Sequence, residues 1–290
     1  MIRGSALAAI LLVLTSTAAH ATRICRLGAS GIAFGVFSGS ALNTVGSITI
    51  RCVGSGNANY TLTLSTGSSG SYLSRQMQNG SNILSYNLYK DPVFTQTFGD
   101  GTAGSNSISG VASGPEVTLV PLYGRVPAQP IPPAGAYLDT ITATLVCLDL
   151  SCTGDTTSFT VTASVEANCT ISATSLVFGD YTQAQLDGQS QISLTCTNGS
   201  LWNVGLSEGT FPSATVTTRR MTGPGGFSLL YFLYRDAART LNWGNTVGTD
   251  TESGTGTGGA QTITVYGRVP ASQPAGPGGY RDTIIGTITF

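Results

Sequence analysis

Cys25 and Cys52 lie 27 residues apart, and Cys169 and Cys196 repeat that spacing 144 positions further on. Other landmarks keep this offset to within a residue. Phe34-Gly35 corresponds to Phe178-Gly179, and Arg75 and Met77 to Arg219 and Met221. The run from Tyr86 to Asp91 corresponds to that from Tyr231 to Asp236, and Phe98-Gly99 to Trp243-Gly244. Tyr123-Gly124-Arg125-Val126-Pro127 returns as Tyr266-Gly267-Arg268-Val269-Pro270, and Tyr137, Asp139, Thr140 and Ile141 return as Tyr280, Asp282, Thr283 and Ile284. So many matches in order mean two copies of one domain. Six cysteines allow fifteen pairings. The repeat selects Cys25–Cys52 and Cys169–Cys196, which leaves Cys147–Cys152 as a bond private to the first half.

Within each half the apolar period is two. Ile48, Ile50 and Cys52 alternate with Ser47, Thr49 and Arg51, and Tyr60, Leu62 and Leu64 alternate with Thr61 and Thr63. Ile141, Ala143 and Leu145 alternate with Thr140, Thr142 and Thr144, while Ile284, Gly286, Ile288 and Phe290 share one face near the end. This alternation marks strands with one buried and one wet face. Thr and Val suit strands, and Gly-, Ser- and Asn-rich stretches punctuate them. Several short strands per half predict an all-β chain of two tandem β-sandwiches.

Charged residues are only 9% of the chain, against about a quarter in ordinary globular proteins. With a net charge of −1 and no basic run, nucleic acid is not an expected partner. The first residues read as an export signal: Arg3 supplies the positive charge, Ala6–Leu14 the short apolar run, and Ala19-His20-Ala21 a small-x-small cleavage site. Residues 1–21 are therefore expected to be removed, and no later stretch is apolar enough to span a bilayer. An even cysteine count in an exported chain reads as disulfides. The single histidine, His20, falls in the leader, so the mature chain is expected to lack histidine-dependent catalysis and His-ligated metal. No enzyme activity, cofactor or metal is expected.

The segment from Tyr266 to Phe290, with Tyr-Gly-Arg-Val-Pro, a Pro/Gly-rich turn and Gly-Tyr-Arg-Asp-Thr-Ile, resembles the C-terminal signature of the spore coat protein U domain. The early cysteine, Phe-Gly, the second cysteine and Arg-x-Met fit the same domain, in both halves. The resemblance implies an immunoglobulin-like pilin fold assembled at bacterial surfaces by the archaic chaperone–usher route. Subunits of that kind lack a final strand, which a neighbour's N-terminal extension supplies. A two-domain member resembles the tip adhesin of such a pilus. The implied partners are a periplasmic chaperone, an outer-membrane usher, the next pilin subunit, and an abiotic or host surface. The implied location is the periplasm during assembly and then the cell surface. A protective coat assembled through the same groove is the alternative.

The strands can be audited against that expectation. A mature chain starting at Thr22 has only about 10 Å of extended stub before Cys25, too little to enter a neighbour's groove. Ahead of the second domain, however, Phe159, Val161, Ala163 and Val165 alternate with Thr160, Thr162 and Ser164. This donor-type strand is expected to pair with Thr140–Val146 and complete the first domain (residues 22–166) in cis, with Cys147–Cys152 clipping the hairpin; a plain linker is the alternative. The second domain (residues 167–290) is expected to end on a strand from Asp282 to Phe290 with nothing to complete it. Ile284, Ile288 and Phe290 would then edge an open acceptor groove. Such a chain accepts a strand without giving one.

Loops near 53–59, 91–116 and 147–157 are expected to share the far end of the first sandwich. Val93, Phe94, Leu148 and Leu150 are the candidate surface-binding residues there, since apolar groups on rigid loops suit attachment to apolar or flat surfaces. Phe98 has a counterpart in Trp243 and is assigned to common structure. Asp139 and Asp282 could suggest paired carboxylates, but they belong to separate copies and read as structural, as do Arg125 and Arg268. Gly254–Gly259 lacks the lysine and helix pattern of a phosphate loop.

Overall fold

The computed structural model describes residues 23–149 and 152–290. The expected leader and Leu150 lie outside the described residues. The first domain contains β1 (Arg23–Ala29), β2 (Ile32–Val36), β3 (Leu42–Val53), β4 (Asn57–Leu64), β5 (Arg75–Asn79), β6 (Asn82–Tyr89), β7 (Ile108–Ser113), β8 (Glu116–Val126), β9 (Gly135–Cys147), β10 (Cys152–Thr153) and β11 (Asp155–Val165). The second contains β12 (Cys169–Ala173), β13 (Leu186–Cys196), β14 (Leu201–Leu206), β15 (Arg219–Thr222), β16 (Ser228–Tyr234), β17 (Glu252–Thr255), β18 (Ala260–Val269) and β19 (Gly286–Thr289). Among the described residues no helix is long and apolar enough to cross a membrane.

The period of two becomes burial directly. In β9, Tyr137, Asp139, Ile141, Ala143 and Leu145 face inward, while Leu138, Thr140 and Val146 are exposed. In β11, Phe159, Val161, Ala163 and Val165 are buried between Thr- and Ser-bearing outer positions. Each domain therefore has its own apolar cluster: one built on Ile48, Leu62, Leu88, Ile141 and Val161, the other on Ile192, Val204, Leu233, Trp243 and Val265.

Sheet order in the first domain runs β10-β1-β3-β8-β6-β5-β9-β11-β2, with β4 and β7 beside β9. The second domain repeats β1-β3-β8-β6-β5 as β12-β13-β18-β16-β15, and β7-β4-β9 as β17-β14-β19. Counterparts of β10, β11 and β2 are missing among its described residues. These absences are connected. Among the described residues the only ladder partner of β2 is β11, in parallel, with Val161 opposite Ile32 and Ser164 opposite Val36. Leu176–Asp180, which matches β2, has no such partner and forms no strand. An isolated extended segment leaves its backbone groups to water, so a strand forms only where a neighbour supplies the ladder.

β11 pairs with β9 antiparallel over eleven positions, from Asp155 opposite Leu145 to Val165 opposite Gly135. The strand expected over Asp282–Phe290 is shorter than the sequence suggests, because β19 covers only Gly286–Thr289. Asp282–Ile285 is held by loop bonds instead: Ser207 N–H donates to the Ile285 carbonyl (2.9 Å), and Ile285 N–H to Ser207 Oγ (3.0 Å). The physical reason is the missing neighbour, since the matching part of β9 is kept extended by β11 along its outer edge.

The disulfides join Cys25–Cys52, Cys147–Cys152 and Cys169–Cys196. The first and third link paired neighbours, β1 to β3 and β12 to β13. Cys147–Cys152 does something different: Cys147 lies on β9 opposite Tyr60 of β4, whereas Cys152 lies on β10 opposite Arg23 of β1. It therefore ties the two sheets together at the end farthest from the second domain.

Removing the β11 anchor is expected to act on one domain only. Phe159→Ala deletes a side chain that is 5% exposed and should destabilise the first domain by about 3–5 kcal/mol. Both tryptophans, Trp202 and Trp243, lie in the second domain. The circular-dichroism transition of the first domain should therefore fall in urea while the tryptophan-fluorescence transition stays in place.

Candidate strand-accepting groove and distal end

In the second domain, a groove of about 520 Å³ opens between the sheets where β11 lies in the first. Its floor is Ile192, Leu206, Tyr231, Leu233 and Val265; one wall is Ile171–Leu176 with Phe178, and the other is Tyr280–Ile284 with Gly286. The repeat shows what the groove lacks. Ile32, Phe34, Ile141 and Leu145 are all buried beneath or beside β11. Their counterparts Leu176, Phe178, Ile284 and Ile288 are only partly buried against the second core. The residue types match and the covering strand differs. Each apolar side chain absent from such a site forgoes roughly 1.5–3 kcal/mol of burial.

Of the expected groove edge, Ile284 lines the opening. Ile288 sits on β19 opposite Val204 and packs on the core below the opening. Phe290 is exposed and does not line the groove.

A buried polar frame supports the groove and recurs in both domains. Arg219 is fully buried and donates to the carbonyls of Ser207 (2.7 Å), Val216 (2.7 Å), Leu206 (2.9 Å) and Trp243 (2.8 Å). Arg75 does the same with the carbonyls of Ser65 and Phe98 and with Asn87 Oδ1 (2.8 Å). A guanidinium presents five donors, so several carbonyls from different loops can satisfy it without a carboxylate. Tyr231 donates its hydroxyl proton to Asp282 (2.7 Å), as Tyr86 does to Asp139 (2.6 Å). Asp282 also accepts the backbone N–H of Thr210 and of Thr283, both at 2.8 Å. Gly209 and Gly67 have φ of +92° and +66°, and a Cβ at either would collide with the aspartate carboxylate. The two aspartates are thus loop clamps, as the sequence reading assigned them. Burial pushes the Tyr231 hydroxyl pKa well up, reinforced by Asp282. Burial also raises the Asp282 carboxyl, but hydrogen bonds from Thr210, Tyr231 and Thr283 outweigh it and hold the group below its ordinary range.

At the far end of the first domain, Arg23 is 1% exposed and pins two turns. It donates to the Gly114 carbonyl (2.8 Å) and to the carbonyls of Gly54 and Gly56. Its place in the repeat is taken by Ala167, so this clamp belongs to the first domain alone. Sequence reading missed it; an arginine replaced by alanine in the sister copy was the available signal. Leu148 is 64% exposed beside it, its N–H bonded to the Asn59 carbonyl (2.9 Å). The sulfurs of Cys25, Cys147 and Cys152 lie close together, but all three are in disulfides and offer no thiolate to a metal.

Val93 and Phe94 are elsewhere, which corrects the expectation that residues 91–116 share the far end as one group. The Phe94 ring stands edge-on to Tyr89 at 5.4 Å, with the Arg125 guanidinium 5.2 Å above it. Arg125 is nine residues along β8 from Glu116 at the distal turn, about 30 Å at strand spacing. The turn itself recurs: Asp91 accepts the N–H groups of Thr95 and Gln96, and Asp236 those of Thr240 and Leu241. Its position follows from β6 pairing with β8 only as far as Tyr89 opposite Tyr123. Val93 is exposed, Phe94 half-buried.

Two tandem β-sandwiches with one shared strand order, the second without a counterpart of β11 among its described residues, define the class of this protein. The family model of the Spore Coat Protein U domain matches residues 10–144 and again 155–287, and the chain belongs to that family. Membership of a spore-coat domain family agrees with the expectation that the chain is not an enzyme. It is 39% identical over 110 residues to Protein U of Myxococcus xanthus, a match covering 36% of this chain and 61% of that protein. Among solved structures it is similar to the CsuC–CsuE chaperone–tip adhesion subunit pre-assembly complex of the archaic chaperone–usher Csu pili of Acinetobacter baumannii, with 17% identity, a TM-score of 0.49, and coverage of 92% of this chain and 100% of that one. It is also similar to the CupB6 tip adhesin of Pseudomonas aeruginosa, with 11% identity, a TM-score of 0.47, and coverage of 93% and 94%. At such identities a likeness concerns the path of the chain and not its chemistry.

The depressed Asp282 carboxyl predicts an acid limb to the stability of the second domain. A carboxyl held lower when folded than unfolded contributes stability that is present above the unfolded value, about 3.9, and is lost as pH falls through the folded one. The urea midpoint of tryptophan fluorescence should therefore drop on acidification, and Asp282→Asn should lower it at neutral pH while flattening the acid dependence.

Proposed function

We propose that this chain is the tip adhesin subunit of an archaic chaperone–usher fimbria. Its second domain accepts a donor strand, and its first domain meets the surface to be bound. The observation that carries the reading is the contrast between the copies: β11 seals the first sandwich, and the matching space in the second is an open, apolar groove. An exposed sheet edge above such a groove is a template for strand addition. Tip position is supported by the use of β11. The segment just ahead of the second domain, where a fibre subunit carries its donor extension, is consumed in cis. The partners in this reading are a periplasmic chaperone that first fills the groove, an outer-membrane usher, and the next subunit's extension. Assembly takes place in the periplasm and display at the cell surface. Contact with an abiotic or host surface falls to the distal end around Leu148, braced by Arg23 and the Cys147–Cys152 bond; Leu150, two residues on in the sequence, is proposed with it. Val93 is proposed as a separate contact on the flank.

The relative Protein U and the family's own description favour a second reading, a coat or surface-layer component assembled through the same groove. Both readings require a strand from outside, whereas only the first requires a chaperone and an usher.

Periplasmic expression with and without an archaic-class chaperone tests the proposal. The expected result is a soluble one-to-one complex with the chaperone, and aggregation without it. A stable, monodisperse free chain overturns it. A synthetic peptide of residues 155–165 should raise the melting temperature of the tryptophan transition, and the same peptide with Val161→Asp should not. Leu148→Ser should reduce surface attachment with the chaperone complex unchanged.

A further inference from the structure

The two domains solve the outer face of the same sheet in different ways, and each serves as a control for the other. Strands β1, β3 and β8 pair with Ile24 opposite Val53, Arg26 opposite Arg51, and Arg51 opposite Val117; Leu119 follows two residues on, opposite Thr49. All point away from the core. Val117 and Leu119 are 64% and 65% exposed, and Ile24 and Val53 are also solvent-facing. In the second domain the matching registers, Cys169 opposite Cys196 and Thr195 opposite Ala260, place Asn168, Thr170, Thr195, Thr197, Ala260 and Thr262 at these positions. The fold therefore needs neither aliphatic nor charged side chains there.

The arginines narrow the partner. Arg26 and Arg51 are directly opposite on neighbouring strands, an arrangement that is destabilising for like charges. Arg26 approaches Asp155 at 3.7 Å with its side chain 64% exposed, and Arg51 forms no ion pair among the described residues. Both are threonine in the sister domain. An anion between them would remove the repulsion, and four aliphatic side chains surround that point at strand spacing, about 5 Å across and 7 Å along. An anionic headgroup above an apolar layer fits both features, since shallow burial of aliphatic groups and attraction of arginine to anionic lipid act together.

We propose that the distal outer face of β1, β3 and β8 in the first domain docks on an anionic lipid surface, with Arg26 and Arg51 on the headgroups and Ile24, Val53, Val117 and Leu119 at the acyl boundary. This face is distinct from the groove and from the Leu148 turn.

The sister domain supplies substitutions that the fold already tolerates. Full-length protein, its groove filled by the 155–165 peptide, is sedimented with phosphatidylcholine vesicles with and without phosphatidylglycerol. Binding should require phosphatidylglycerol and weaken with salt. Arg26→Thr with Arg51→Thr should lower partitioning roughly 25-fold, at about fivefold per arginine. Val117→Ala with Leu119→Thr should lower it at least tenfold. Every variant should keep the peptide-induced shift in the tryptophan transition, which reports the groove separately. The proposal is overturned by absence of binding to anionic vesicles, by equal binding to both vesicle types, or by variants that bind like the parent. Self-association that the same substitutions abolish, without vesicle binding, overturns it as well and assigns the face to a second copy.

Discussion

The eleven-position ladder between β9 and β11 is the constraint on which the rest of this molecule depends. It satisfies the backbone of β9 along its outer edge, supplies four side chains that close the first core, and gives β2 its ladder partner. Where the second domain lacks that ladder, three consequences appear together. The counterpart of β2 forms no strand, the last strand shrinks to Gly286–Thr289, and side chains buried in one copy are half-exposed in the other. A single missing strand costs more than its own burial, because sheet formation is cooperative across neighbours.

What keeps the incomplete domain in shape is polar. Arg219 repeats the bonds of Arg75 to the matched carbonyls, Ser207 for Ser65 and Trp243 for Phe98, and the Tyr231–Asp282 pair repeats Tyr86–Asp139. Leaving a buried guanidinium unsatisfied is expensive, so once its carbonyl partners are gathered they cannot separate without exposing or orphaning it. Of the groove lining, Leu206, Asp282 and Thr283 are held directly by these bonds, so the wall at Tyr280–Ile284 is tied to the core through them. In the proposed reading the second domain receives a strand from outside, and satisfied hydrogen bonds would hold its shape without filling the groove.

The same frame leaves the surfaces free to diverge. Arg23 and the aliphatic–cationic outer face belong to the first domain, and at matched positions the second has alanine, asparagine or threonine. Divergence at exposed positions around an unchanged core is what separate surface roles would produce. The proposed division, contact by the first domain and assembly by the second, follows that line.

Much was legible in the sequence because it depended on local spacing. Period-two alternation specifies which face of a strand is buried, and the 144-residue offset of matched cysteines fixes both the domain repeat and the pairing of all six cysteines. The alternating run at Phe159–Val165 could be recognised as a strand for the same reason. The tertiary structure alone decided three things. It placed Phe94 on Tyr89 and Arg125 instead of at the distal end, because the height of a loop depends on where β6 stops pairing with β8. It cut the final strand short, because an extended segment needs a neighbour that its own residues cannot encode. And it set Arg26 against Arg51 on one face, since cross-strand opposition is a matter of register between segments far apart in the chain.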